Sequence, residues 1–301
     1  MFQSLFPVFS LIFLGALLRW VGFPGKDFWR GAENLTYNLL FPSLLFLKLS
    51  SSQVGTTEIQ NVALVVVGTL LITTLLLLVI GRVLGEGGAR FTSFYQGGIR
   101  FNTYVGLASV NELFGGEGMA VAALILGLMI PLVNLLCIWI FELNVPVGKR
   151  SLRTMLINVL KNPLIIACVV GFSWNRLGLP LPQTIESVLL LLAGTALPLG
   201  LLAVGAGIYL DALRGIGSTF FASSAVKLLV VPALFYMISR MFGLDEITTL
   251  VLVVMGSLPT ASSAYILARQ LGGDGPTMAA IISGQTLLAM LTMPLVLGLV
   301  T

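Results

Sequence analysis

Arg100-Phe-Asn-Thr-Tyr-Val-Gly-Leu-Ala108 places a guanidinium, an amide, a hydroxyl and a phenol within five residues of a span that is otherwise apolar. The stretch follows Gly97 and Gly98 and contains Gly106, so residues that break helices surround its polar groups. Backbone N–H and C=O groups that a break leaves without hydrogen-bond partners raise the free energy in lipid, because the hydrocarbon core contains no water to bond them. Such breaks persist where they line a cavity inside the protein, and in transporters that cavity usually holds the substrate. The stretch therefore predicts a membrane transporter whose site lies at this break.

The amino-acid composition is typical of a membrane protein. Hydrophobic residues make up 57% of the chain and charged residues 9%, whereas soluble domains average about 25% charged residues. The net charge of +4 forms no basic patch interleaved with aromatic residues, so nucleic acid is not an expected partner. Cys137 and Cys168 both fall within apolar spans and are interpreted as small hydrophobic residues rather than as a disulfide or a metal pair. No cofactor is predicted, and the presence of a metal site stays open.

Hydropathy predicts ten membrane spans. They cover roughly residues 4–21, 32–50, 61–81, 92–112, 119–141, 155–175, 184–208, 217–239, 247–269 and 277–299. The two halves of the chain repeat, since five residues return 156 positions later: Pro7, Gly15, Gly22, Pro24 and Pro42 as Pro163, Gly171, Gly178, Pro180 and Pro198. Two further matches follow at shifts of 158 and 157: Arg82 and Gly85 as Arg240 and Gly243, and Gly115-Gly-Glu-Gly118 as Gly272-Gly-Asp-Gly275. So many matches in near-constant register indicate a duplication.

The duplication predicts a first five-helix repeat at residues 1–144, a cytoplasmic hinge loop at 145–154 and a second repeat at 155–301. Because five is an odd number, the second copy enters the membrane the other way up. Spans 4 and 9 correspond, and span 9 contains a second Gly/Pro break with hydroxyl groups, Gly256-Ser-Leu-Pro-Thr-Ala-Ser-Ser263. The predicted fold is therefore an all-α membrane protein of ten transmembrane helices, a 5+5 inverted repeat with broken, crossing helices 4 and 9.

Cationic residues set the predicted orientation. Eleven Lys and Arg residues flank the loops after spans 1, 3, 5, 7 and 9, against three on the opposite side. Because cytoplasmic loops carry the excess of cations, both termini are expected outside the cytoplasm of a multi-pass protein of the cell (inner) membrane.

With Gly98-Ile-Arg-Phe-Asn-Thr-Tyr-Val-Gly106, Lys161-Asn-Pro163, Lys227 followed by Pro232, and Leu258-Pro-Thr260, the sequence resembles the auxin efflux carrier family. This family includes plant PIN-type auxin exporters and bacterial permeases for malonate and related organic anions. The resemblance implies the fold of bile acid:sodium symporters, in which spans 4 and 9 unwind and cross near the membrane centre and a transport domain moves against a scaffold. It also implies a homodimer. The short hinge after span 5 differs from the long loop of the plant carriers and favours a bacterial-type permease.

The predicted substrate-binding residues come from the two breaks: Arg100, Asn102, Thr103, Tyr104, Pro259, Thr260, Ser262 and Ser263. Two half-helix N-termini would present N–H groups and positive dipole ends there to a carboxylate. Asn102 either donates an amide hydrogen bond to the substrate, as the resemblance implies, or caps the broken helix. The hydroxyls of span 9 either bind substrate or form interhelical hydrogen bonds.

Arg100 and Lys227 are the cations predicted well inside spans, whereas Glu33 and the other acidic residues are placed near span ends. A charge at the bilayer centre costs at least about 2.5–3.5 kcal/mol and is expected to face the protein interior. Either cation would attract an anion; alternatively Lys227 bonds carbonyls freed by the break, and Arg100 snorkels or forms a structural contact. Four polar residues of spans 2 and 10 either line the pathway or bond helices together: Asn34, Asn38, Gln285 and Thr286.

The predicted function is secondary transport of a small organic anion, a mono- or dicarboxylate, by elevator-type alternating access. The alternatives are a sodium-coupled symporter of the bile-acid type on the same fold and an intramembrane enzyme or sensor. An enzyme is disfavoured because the chain has no histidine and no pair of buried acids is predicted. Coupling to sodium or to protons, and uncoupled movement driven by the membrane potential, about 2.3 kcal/mol per charge per 100 mV, all stay open.

Overall fold

The computed structural model describes residues 2–51, 56–145 and 161–301, and every regular element within them is helical. The α-helices are α1 (Phe2–Trp20), α2 (Lys26–Leu35), α3 (Phe41–Ser50), α4 (Thr56–Val83), α5 (Gly88–Ile99), α6 (Thr103–Asn144), α7 (Pro163–Arg176), α8 (Gln183–Ala206), α9 (Ser218–Ala225), α10 (Val231–Met241), α11 (Glu246–Gly256), α12 (Ser263–Leu271) and α13 (Gly275–Val300). A π-helical turn, Thr36–Leu40, joins α2 to α3, and another, Val226–Val230, joins α9 to α10. A 3₁₀ turn, Leu210–Gly215, follows α8. Most of the predicted hinge, residues 146–154, lies outside the described residues.

Six helical stretches in the described part of the chain are long and apolar enough to cross a membrane: Gln3–Trp20, Ile59–Val83, Gly88–Asn144, Gln183–Ala206, Ser218–Met241 and Gly275–Val300. Large apolar side chains such as Phe6, Leu71 and Leu191 are mostly exposed on these helices, as expected for surfaces that face lipid. The prediction of an all-helical, multi-pass membrane protein is confirmed at this level. The count of ten spans and their 5+5 arrangement stay predictions.

The boundary between predicted spans 4 and 5 differs from the expectation of a loop at residues 113–118. Helix α6 continues through this region, and its helical dihedral angles are interrupted at Gly115, with φ 58° and ψ −142°. A positive φ is accessible to glycine because it has no Cβ. A single glycine thus makes the bend for which hydropathy predicts a loop.

In three glycine pairs of the sequence repeat, both members have a backbone φ angle in the positive range. Each member has a positive φ: Gly22 (81°) and Gly178 (63°), Gly85 (66°) and Gly243 (64°), and Gly115 (58°) and Gly272 (79°). Five of these six glycines lie one or two residues after a helix end, where a left-handed residue stops the helix. Positive φ angles at near-constant spacing support a duplicated unit.

The two interrupted helices lie at the centre of the packing. Residues 91–99 of α5 and 248–260, which include most of α11, are buried without exception. Around them, α1 packs mainly on α8, α3 on α7, and α10 on α11. A helix enclosed on all sides by protein must satisfy its freed backbone groups internally. The freed backbone groups of the two breaks are therefore expected to form hydrogen bonds with other parts of the protein.

Candidate functional site

The two helix breaks contact each other through their backbones. Helix α5 ends at Ile99 and α6 begins at Thr103, and α11 ends at Gly256 and α12 begins at Ser263. The Asn102 N–H donates to the Pro259 carbonyl at 2.8 Å. A carbonyl freed by one break thus receives its hydrogen bond from the other.

A side-chain network reinforces this contact. Thr260 Oγ1 lies 3.0 Å from the Gly97 carbonyl oxygen and 2.8 Å from Gln285 Oε1, and its single proton serves one acceptor at a time. Gln285 Nε2 donates to the same Gly97 carbonyl at 2.9 Å, and its Oε1 accepts from the Thr260 N–H at 3.0 Å. Gln285 therefore joins the two breaks from α13.

Lys227 is fully buried beside the second break. Its Nζ donates to the Gly256 carbonyl at 3.0 Å, and Gly256 is the last residue of α11. The last carbonyls of a helix lack intrahelical partners and carry partial negative charge. One hydrogen bond from Lys227 thus pairs this carbonyl and places a positive charge at the negative end of the helix dipole.

The two half-helices that leave the breaks begin in different ways. Asn102 caps α6, since its Oδ1 accepts from the N–H groups of Tyr104 at 3.0 Å and Val105 at 3.3 Å. Among the residues that the structure describes, Asn102 Nδ2 has no protein partner. Helix α12 has no side-chain cap, but the N–H groups of Ala264 and Tyr265 donate to the Ala261 and Ser262 carbonyls at 3.0 Å. Within the described residues, the first-turn N–H group of α12 that lacks a partner is that of Ser263.

A cavity of about 730 Å³ lies at these helix starts. Six of the predicted substrate residues line it: Arg100, Asn102, Thr103, Tyr104, Ser262 and Ser263. Asn34 and Asn38 line it from the other side, and Asn38 Nδ2 lies 2.5 Å from Asn34 Oδ1. The remaining predicted residues, Pro259, Thr260, Lys227, Gln285 and Thr286, are not among the lining residues. Pro259, Thr260 and Gln285 are instead buried in the contact between the breaks. Lys227 bonds the end of α11, and Thr286 bonds within its own helix.

Arg100 supplies positive charge to the cavity. Its Nη1 donates to Asn134 Oδ1 at 3.1 Å and its Nη2 to Ser263 Oγ at 3.1 Å. These bonds hold the guanidinium between α6 and the start of α12 and use two of its five donors. The arginine is anchored and still faces the space where a ligand would sit.

Glu33 is a lining residue that was not predicted from the sequence as part of the site. Its Oε1 accepts a hydrogen bond from Ser262 Oγ at 2.6 Å, which joins α2 to the residue before α12. A signal for it existed, because polar residues recur at helical spacing just before and within span 2, at Asp27, Arg30, Asn34 and Asn38. Asn134 of span 5 is a second lining residue that the sequence analysis did not single out.

A second cavity, of about 460 Å³, lies further along α6. Ala108, Asn111 and Glu112 line it together with Lys48 at the end of α3. The first cavity is lined instead by the start of α2. The two cavities thus lie toward opposite ends of the helical stretch 26–50.

A helical chain with six apolar stretches of membrane-spanning length and a charged cavity at a helix interruption is a multi-pass membrane protein with an internal polar site. A family model described as "Membrane transport protein" matches residues 1–297. The chain belongs to this auxin efflux carrier and membrane transport family, which confirms the resemblance seen in the sequence.

Two relatives match over nearly their full lengths. A "Putative malonate transporter" of Rhizobium meliloti (strain 1021) is 26% identical over 306 residues, covering 95% of this chain and 91% of the relative. An "Uncharacterized transporter" of Methanothermobacter thermautotrophicus (strain Delta H) is 25% identical over 299 residues, covering 97% of this chain and 96% of the relative. Both names describe transporters.

Proposed function

We propose that this protein is a secondary carrier that moves a small organic anion across the cytoplasmic membrane, with its binding site in the cavity at the two helix breaks. The observation that carries the proposal is the Arg100 guanidinium beside Ser263 in one cavity, where the Ser263 N–H at the start of α12 has no partner among the described residues. A helix N-terminus and a guanidinium both favour a carboxylate. Family membership supports transport rather than catalysis.

The anion is proposed to bind through four kinds of donor. The N–H and the hydroxyl of Ser263 meet one carboxylate oxygen, Arg100 provides the opposite charge, and Asn102 Nδ2 donates from the other break. Tyr104, whose ring stacks on Phe41 with centroids 4.8 Å apart, forms a rigid wall. A volume of about 730 Å³ lies within the usual range for small-molecule sites.

Alternating access is proposed to follow from the two cavities. One lies on each side of the start of α6, lined by the start of α2 and by the end of α3. In a carrier with two inverted five-helix repeats, a unit that contains both breaks would slide against the rest and expose the site to each side in turn. The matched glycine pairs support such repeats, and the cation count supports cytoplasmic loops after the odd-numbered spans.

Binding of carboxylates to the purified protein tests the proposal. Malonate, succinate and acetate are offered to the full chain in detergent, and the unfolding temperature is recorded with each. We expect stabilisation by at least one dicarboxylate, because a ligand that binds the folded state raises its stability. Uptake of the same radiolabelled anion into proteoliposomes, in sodium and in choline, then measures transport and sodium dependence. No stabilisation and no uptake with any carboxylate would reject the proposal.

A further inference from the structure

Glu33 brings a carboxylate into a cavity proposed to bind a carboxylate. Its Oε1 accepts from Ser262 Oγ at 2.6 Å, and Ser262 is the residue that precedes the uncapped helix α12. The Ser262 hydroxyl lines the same cavity as the Ser263 hydroxyl that is proposed to bind the anion, and it already donates to an internal carboxylate. An anion that also reached Ser262 Oγ would compete with Glu33 for this donor.

The charged groups around Glu33 do not neutralise it directly. Its own helix contributes Asp27 and Arg30 to the cavity, and the break contributes Arg100, which bonds Asn134 and Ser263. In the described part of the chain, neither guanidinium forms an ion pair with Glu33. The other ionisable lining groups are the phenols of two tyrosines, Tyr37 and Tyr104.

The helices packed against α2 add no further charge at this place. Helix α8 packs on α2, and the acidic residue of α8, Glu186, lines the second cavity. From α12, the side chains that line the first cavity are uncharged: Ser263, Ile266, Leu267 and Gln270. Two carboxylates and two guanidiniums thus face this space before any ligand binds.

A bound anion places a second negative charge next to Glu33. The two carboxylates and two guanidiniums that line the cavity balance each other, so a bound dianion leaves the site with a net negative charge. A proton on one carboxylate lowers that electrostatic cost. We propose that Glu33 takes up a proton from the solution when the anion binds, so that one proton accompanies each transported anion. This inference rests on the proposed function and names its coupling ion.

The protonated carboxyl group changes the hydrogen bonding of the site. Ionised Glu33 only accepts, whereas its protonated form carries one O–H donor. That O–H can donate to the substrate carboxylate, and Ser262 Oγ is released to donate to the substrate as well. When the anion leaves, the proton returns to the solution and the bond from Ser262 to ionised Glu33 forms again. No oxidation or covalent step is involved.

Calorimetry of malonate binding to the full chain measures this proton uptake. Titrations between pH 7 and 9, where malonate keeps both charges, are repeated in two buffers of different ionisation enthalpy, which gives the number of protons bound per anion. We expect close to one proton per malonate and an affinity that falls by up to about tenfold per pH unit. Glu33→Gln should bind malonate with no proton uptake and with an affinity independent of pH in this range.

A matched variant separates this effect from a general loss of carboxylate. Glu142→Gln changes an exposed glutamate at the end of α6, outside both cavities, and should keep the wild-type proton count. The amide of Glu33→Gln retains an acceptor for Ser262, so its unfolding temperature without ligand should match the wild type. In proteoliposomes, an inwardly directed proton gradient should drive malonate accumulation by the wild type and have no effect on Glu33→Gln.

The outcomes distinguish the inference from the function on which it rests. Malonate binding by the wild type without proton uptake, or proton uptake that persists in Glu33→Gln, overturns the role of Glu33 and leaves the anion site standing. Tighter binding of an amino carboxylate than of malonate, again without proton uptake, assigns Glu33 to a cationic group of the substrate and also overturns it. Absence of binding by malonate, succinate and acetate removes both proposals.

Discussion

Gly15 of α1 lies so close to Leu202 of α8 that a Cβ atom on residue 15 would overlap the Leu202 carbonyl oxygen. Gly171 of α7 has the same relation to Phe46 of α3, where a Cβ atom would lie 2.9 Å from the carbonyl oxygen. Residues 171 and 202 follow residues 15 and 46 by the same 156 positions. A two-fold relation between two copies produces such reciprocal contacts, because each copy presents the same surface to the other. These contacts favour the duplicated arrangement that the sequence predicts.

Gly15→Ala is expected to destabilise the protein. The added methyl group meets backbone atoms, which cannot rotate away, so α1 and α8 must separate at a cost of about 1–3 kcal/mol or more. Thermal unfolding of the purified protein, followed by tryptophan fluorescence, measures the loss. Gly68→Ala on α4 is the control, since a Cβ there has nothing within 4 Å. Equal unfolding temperatures for the two variants would contradict the close approach of α1 and α8.

Thr260→Val should weaken the contact between the breaks and leave the proposed anion site intact. The substitution keeps the shape of the side chain and removes the hydroxyl bonded to Gly97 and Gln285. Because Gln285 still bonds the Gly97 carbonyl, we expect a loss of about 0.5–1.5 kcal/mol in the free energy of unfolding. Chemical denaturation in detergent measures it.

Thr286→Val is the matched control for this substitution. Its hydroxyl is equally buried and bonds within its own helix, to the Ile282 carbonyl, so a smaller loss is expected. A Thr260→Val protein with wild-type stability and no malonate binding would assign Thr260 to the substrate instead.

The breaks could be predicted from the sequence because they are local features. Gly97–Asn102 and Pro259–Thr260 combine glycine or proline with polar groups inside apolar spans, and that combination is visible without any knowledge of packing. The capping role of Asn102 was one of two predicted alternatives for the same reason, since a cap depends on residues two or three positions away. The glycine repeat is likewise a property of spacing.

The sorting of polar residues between cavity and core could not be predicted, because it depends on contacts between distant parts of the chain. Thr260 and Ser262 are two residues apart, yet one bonds Gln285 inside the core and the other bonds Glu33 in the cavity. Hydropathy averages residues along the sequence, so it places Glu33 near a span end and carries no information about the neighbouring helices. Where α2 lies beside the break is decided by tertiary packing, and only that packing brings Glu33 to Ser262.

Lys227→Met should lower stability without changing anion affinity. Lys227 donates to the Gly256 carbonyl and does not line the cavity, so its loss leaves a buried carbonyl unpaired at a cost of about 1–3 kcal/mol. The unfolding temperature should fall with and without malonate, and the increase caused by malonate should stay the same. An unchanged unfolding temperature together with a lost malonate effect would instead show that Lys227 attracts the anion.

Two substitutions of Asn102 separate its capping role from its proposed substrate contact. Asn102→Ser keeps an oxygen that can accept from the N–H groups of Tyr104 and Val105 and removes the Nδ2 donor. Asn102→Ala removes both. Because loss of a cap costs about 0.5–2 kcal/mol, the alanine variant should unfold at a lower temperature than the serine variant, which should stay close to the wild type.

Both Asn102 variants should lose most malonate uptake in proteoliposomes, because the Nδ2 donor is absent from each. Asn144→Ala controls for loss of an amide elsewhere on α6, since Asn144 Nδ2 bonds the Ile140 carbonyl near the end of the helix. Uptake by Asn102→Ser at the rate of Asn144→Ala would restrict Asn102 to capping. The site would then depend on Arg100 and on the start of α12, and Ser263→Ala would become the variant that removes a donor from it.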